Sequence, residues 1–68
     1  MLTTFLGNFN VARKNAFKHA LAIKKEEGHK MAAGDRVEFQ WRWAHDPPGT
    51  YIKSEEYISQ SDLNSLAR

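Results

Sequence analysis

Arg36-Val37-Glu38-Phe39-Gln40-Trp41-Arg42-Trp43 is the stretch on which the reading of this 68-residue chain turns. Val37, Phe39, Trp41 and Trp43 alternate without a break with Arg36, Glu38, Gln40 and Arg42. Successive side chains of a strand point to opposite faces, so a period of two predicts a strand with one bulky aromatic face and one polar, wet face. His45-Asp46-Pro47-Pro48-Gly49 must end it, because neither proline has an N–H to give to a ladder. Thr50-Tyr51-Ile52-Lys53 is again β-prone and is expected to return antiparallel, making a hairpin over about residues 36–58. Ile52 and Ile58 then share one face, and Tyr51, Lys53, Glu55 and Tyr57 the other. A rival reading starts a helix at Ser54, where Ser-Glu-Glu offers a cap and first-turn acids.

An aromatic strand face needs a cover, and the segment before it supplies one. Ala12, Ala16, Ala20 and Ile23 recur at i, i+4, i+8 and i+11 and fall on one side of a helix over about residues 10–27, with Phe9 close by. Asn8 or Asn10 can cap its start, and Gly28 can end it in a left-handed conformation. A small-residue helix face suits a large-residue strand face in volume, so the two are expected to pack together. Leu2 to Leu6 is short, apolar and β-branched and is a candidate first strand ahead of Gly7-Asn8. Ser59 or Ser61 can cap a short helix through Leu63 and Leu66, with Asp62 in its first turn and Arg68 at its end. The order β-α-β-β-α, with the first strand optional, predicts a single compact α+β domain. Its small antiparallel sheet of two or three strands packs against one long N-terminal helix, and a short helix closes the chain.

Composition narrows the function classes. The chain has no cysteine, so neither a disulfide nor a thiolate metal site supports the fold, and packing must do so alone. A small secreted domain would be expected to carry disulfides, so their absence points to a cytoplasmic setting. With 41% hydrophobic and 26% charged residues the chain is that of a folded globular domain and not of a disordered one. No run approaches the roughly 20 apolar residues needed to span a bilayer, and Met1 to Leu6 lacks the basic start of a signal peptide. A mature, soluble chain is expected. The net charge of +2 hides an asymmetry. Residues 1–34 hold six Lys/Arg against two acids, and residues 35–68 hold four against six. Such a layout can steer an acidic partner, although a run of charge is more often a solvated face.

Catalytic readings fail for want of parts. There is no thiol nucleophile, no Gly-x-Ser-x-Gly and no Gly-rich phosphate loop. His45-Asp46 lies in a turn-forming segment, where Asp commonly caps its own backbone. His19, His29 and His45 match no zinc spacing. No enzyme activity, metal or cofactor is expected. The helix at 10–27 has lysines and an apolar side, but alanine buries too little area for a membrane-surface helix.

Two contact surfaces remain. The first is a basic stripe on the helix side opposite the alanines, formed by Lys14, Lys18, Leu21 and Lys25, which could meet phosphates or an acidic protein patch with an apolar notch. The second is the outer face of the hairpin, where Arg36, Gln40 and Arg42 would lie beside Tyr51, Lys53 and Tyr57. Tyr and Arg are enriched at protein interaction hot spots, and aromatics among cations can stack unpaired bases. Cross-strand pairs that merely stabilise the sheet are the plain alternative.

These features favour a small non-catalytic binding protein that occupies a surface of a protein partner. A phage or mobile-element type inhibitor of a host complex is one example of that class. The alternative is a basic nucleic-acid-binding module. Tyr51 to Leu66 is similar in outline to a winged-helix wing with its terminal helix, but the preceding helix pair that would read DNA is missing. An uncovered sheet edge and a small core would also suit a homodimer.

Overall fold

The computed structural model describes residues 3–67. Leu2, expected to begin the first strand, and Arg68, expected to close the last helix, lie outside the described residues. The elements follow the order β1 (Thr4–Leu6), α1 (Phe9–Glu26), β2 (Arg36–Arg42), β3 (Ile52–Tyr57) and α2 (Gln60–Leu66). The class is α+β.

α1 begins where Asn8 turns its side chain back, its Oδ1 accepting the Val11 N–H at 2.9 Å. It ends in a Schellman arrangement. The Gly28 N–H donates to the Lys25 carbonyl at 3.1 Å and the His29 N–H to the Lys24 carbonyl at 2.8 Å, with Gly28 at φ 78°. Lys24 and Lys25 place positive charge on the helix's negative end. α2 starts with a reciprocal capping box: Ser59 Oγ accepts the Asp62 N–H, and the Asp62 carboxylate accepts the Ser59 N–H, both at 3.1 Å.

The sheet has the order β1-β2-β3. β2 and β3 form the expected antiparallel hairpin, pairing Arg36 with Tyr57, Gln40 with Lys53 and Trp41 with Ile52. No helix starts at Ser54, which lies inside β3 opposite Phe39. β1 joins β2 in parallel, with Phe5 beside Trp41, so the sheet is mixed. The reason is the 18-residue helix between them: it returns the chain to the starting end, as a crossover between parallel strands requires.

Val37, Phe39 and Trp41 face the helix and are buried with Ala12, Ala16, Phe17, Met31 and Ile58. The helix approaches the sheet closely because Ala12 and Ala16 lie at the contact, and Phe9 stacks on Phe39 with ring centroids 6.1 Å apart. The buried arc of α1 is not the one expected from the alanines alone. Ile23, expected in that arc, is exposed, while Phe17 is almost wholly buried and Leu21 packs against the core. The arc is rotated because Leu63 and Leu66 of α2 add a second wall on the Phe17 side. Three-residue β1 is too short to cover the Ile23 side.

Candidate functional site

The outer hairpin face is assembled by register as the alternation implies. Arg36, Glu38, Gln40 and Arg42 of β2 share it with Lys53, Glu55 and Tyr57 of β3 and with Thr4 and Leu6 of β1. Its polar groups are largely spent on one another. Arg36 pairs with Glu38 and, at 3.1 Å, with Glu55. Glu55 also accepts the Tyr57 hydroxyl at 3.1 Å, and Gln40 donates to Thr4 Oγ1 at 2.6 Å. Glu38 stands directly opposite Glu55, so two carboxylates occupy the middle of what sequence alone suggests is a cationic surface. The two acids offset most of the cationic charge of the face and weaken it as a phosphate site. Among the described residues Lys53 has no ion-pair partner, and Tyr57 is 61% exposed.

Arg42 has a different task. Its Nη1 donates to the Asp46 carbonyl at 2.8 Å and to the Trp43 carbonyl at 3.4 Å, and the Asp46 N–H closes a turn onto Trp43 O at 3.0 Å. A second turn follows, with Thr50 donating its N–H and hydroxyl to Pro47 O. Pro48 and Gly49 are its central residues, and Gly49 supplies the positive φ of 96° that a type II turn needs. Arg42 thus braces the loop that presents Trp43 and His45.

At that end the aromatic row outruns its cover. Phe9, in the first turn of α1, lies 5.7 Å from Trp41, which is 6% exposed. Two residues on, Trp43 is 40% exposed although its ring meets Trp41 edge-on at 5.4 Å. His45 stacks on Trp43 with ring centroids 6.1 Å apart. Ile52, opposite Trp41 and therefore on the same face, is 47% exposed, and the adjacent Tyr51 is equally open. The result is an open end made of Trp43, His45, Tyr51 and Ile52. The alternation Phe39-Trp41-Trp43 contains its signal, but where the helix stops covering that row depends on the docking of α1.

On the helix, Lys14, Lys18 and Lys25 are exposed and have no ion-pair partner among the described residues, whereas Lys24 is held by Asp35 at 3.2 Å. Leu21 does not join them as an exposed notch: it is half-buried against the core beside Met31 and Leu63. The stripe is therefore purely cationic. His19 is exposed and meets Phe5 edge-on at 5.8 Å.

Arg13 is a key residue that pattern reading misses. Its Nε donates to Glu56 at 3.0 Å, its two terminal nitrogens donate to Asp62 at 3.3 and 3.0 Å, and its guanidinium lies 4.5 Å from the Phe17 ring centre. One side chain of α1 thus ties down β3 and α2. The Arg13 guanidinium and the Ser59 N–H together pull the Asp62 carboxyl down to a pKa of about 2, and Asp62 in turn raises that of Arg13. Asp35 is lowered too, first by the Ala32 N–H and then by Lys24.

Among the described residues no group of three or more His, Asp or Glu side chains could hold a metal ion, and no helix is long and apolar enough to cross a membrane. Compared with known proteins, the chain matches no family model, no curated protein and no solved structure.

Proposed function

We propose that this is a non-catalytic binding protein whose open end, Trp43 with His45, Tyr51 and Ile52, docks onto a protein partner. The observation that carries the reading is the aromatic row that continues past the end of α1, leaving a tryptophan 40% exposed on a loop braced by Arg42. Exposed aromatics grouped on one rigid end are what protein interfaces use as anchors, because burying them releases much apolar area at little entropic cost. An inhibitor that covers a surface of a host complex, of the kind phages carry, belongs to this class. The encounter is proposed to take place in the cytoplasm, which a cysteine-free chain of this size suits.

A second reading, nucleic-acid binding, rests on Lys14, Lys18 and Lys25, which have no ion-pair partner among the described residues. The carboxylates of Glu38 and Glu55 weigh against the sheet face as its site.

Affinity capture from cells of the source organism separates the two. Wild type, Trp43→Ser and the triple variant Lys14→Ala/Lys18→Ala/Lys25→Ala are compared, with and without nuclease. Loss of a discrete protein band with Trp43→Ser alone is the expected result. Capture that vanishes with nuclease, or with the lysine variant only, would overturn the protein-docking reading in favour of nucleic acid.

A further inference from the structure

β3 is an outer strand whose second side has no neighbour among the described residues. The direction of its backbone groups follows from Ile58, whose N–H donates to Asp35 at 2.9 Å and whose carbonyl accepts the Gly34 N–H at 2.7 Å. Even-numbered residues of this segment therefore turn their backbone toward β2. By alternation the N–H and C=O of Lys53, Glu55 and Tyr57 point to the free side.

A free edge can take another strand, and the side chains decide which. Suppose a second copy of β3 runs antiparallel about a two-fold axis perpendicular to the sheet. Three neighbouring registers keep the outer faces together. An axis at Lys53 sets Lys53 against itself, and an axis at Glu55 sets Glu55 against itself. Like charges directly opposite destabilise a pair of strands. An axis at Ser54 instead sets Lys53 opposite Glu55 of the second copy, twice. It also sets Tyr51 opposite Tyr57 of the second copy, again twice. Opposite charges and aromatic pairs each favour the register. Among the described residues Lys53 has no ion-pair partner. Glu55 already receives Arg36 and Tyr57, but a carboxylate has about four acceptor sites and can receive a further donor. The outward backbone groups of Lys53 and Glu55 meet in this register as a mutually hydrogen-bonded pair.

We propose that two copies of the chain associate through β3 in the Ser54-centred register, joining two three-stranded sheets into one with both α1 helices on the same side. The charges on the edge act as a filter that blocks the neighbouring registers. This association shares Tyr51 with the open end but does not use Trp43, and it does not rest on the docking reading.

The test uses the absence of cysteine. On the two-fold axis Ser54 faces its own copy across a pair lacking mutual hydrogen bonds, where Cα atoms lie about 4.5 Å apart and a disulfide can form. Lys53 and Glu55 are each offset from their own copies beyond the roughly 7 Å limit for a disulfide. Under mild oxidation Ser54→Cys is expected to cross-link into a dimer, and Lys53→Cys and Glu55→Cys are not. By sedimentation equilibrium the wild type dimerises with rising concentration. Lys53→Glu lowers the association constant about tenfold, and Lys53→Glu/Glu55→Lys restores it. Because Lys53 has no ion-pair partner among the described residues, Lys53→Glu is expected to leave the fold intact, with an unchanged far-UV circular dichroism spectrum as the check. A wild type that stays monomeric at every concentration overturns the proposal. So does a dimer indifferent to Lys53→Glu, or one that cross-links at 53 or 55 as readily as at 54.

Discussion

Arg13 carries more of the tertiary structure than any other single polar side chain described here, because it bonds to two acids from different elements and lies over Phe17. Replacing it with alanine removes these contacts and leaves Glu56 and Asp62 half-buried without their cation. A loss of about 1–3 kcal/mol is expected in urea unfolding; a change below a few tenths would show the clamp to be idle. Asp62 makes the same point through pH. Its folded pKa of about 2 lies below the ordinary carboxylate value near 4. A depressed folded pKa gives stability that is complete above the unfolded value and disappears as pH falls through the folded one. The melting temperature should therefore drop between about pH 4 and pH 2, and Asp62→Asn should flatten that part of the profile. Arg13 was not legible in the sequence. It is one basic residue in a helix rich in them, and only the return of β3 and α2 to its side of α1 distinguishes it from Lys14.

At the scale of elements, the hairpin and the helix ends were legible because each has a local cause. The two-residue alternation of β2, the prolines after it, Asn8, Gly28 and Ser59 act within a few residues of themselves. The faces were legible only in part. The alanines marked one side of α1, but Phe17 and Leu21 belong to its buried arc because α2 lies beside them, and no spacing within α1 reports that. The sequence presents the outer hairpin face as Arg36, Gln40, Arg42, Tyr51, Lys53 and Tyr57, yet the interleaved Glu38 and Glu55 hold Arg36, and Arg42 serves the loop. The two tryptophans separate packing from exposure. Trp41→Ala should cost about 3–5 kcal/mol, since Trp41 lies in the core and also donates its indole N–H to Ser54 at 3.0 Å. Trp43→Ala should cost about 1 kcal/mol or less, as its ring is partly in water already. Equal losses would mean that the open end belongs to the core. The basic stripe makes its own prediction for an added polyanion. If Lys14, Lys18 and Lys25 bind phosphates, changing all three to alanine should lower both the affinity and the salt dependence for duplex DNA. An unchanged salt slope would remove the stripe from consideration.

For the whole molecule, the layout separates what holds the fold from what is left over. α1 covers the sheet as far as Trp41, α2 fills the Phe17 flank, and Arg13 joins the two sides. Left over are the end bearing Trp43, the β3 edge and the lysine stripe of Lys14, Lys18 and Lys25 on α1. A small core with an open aromatic end is a costly arrangement for a chain that acts alone, since a few exposed apolar groups weigh heavily against marginal stability. Docking onto a protein would cover that end. Site-specific photo-cross-linking in cells tests the claim most directly, with a benzophenone-bearing phenylalanine analogue placed at His45, beside Trp43, and in a parallel experiment at Lys18 on the helix. Docking through the open end predicts one discrete protein adduct from position 45, lost when Trp43→Ser is added, and none from position 18. An adduct from position 18 alone, or one from position 45 that survives Trp43→Ser, would contradict it.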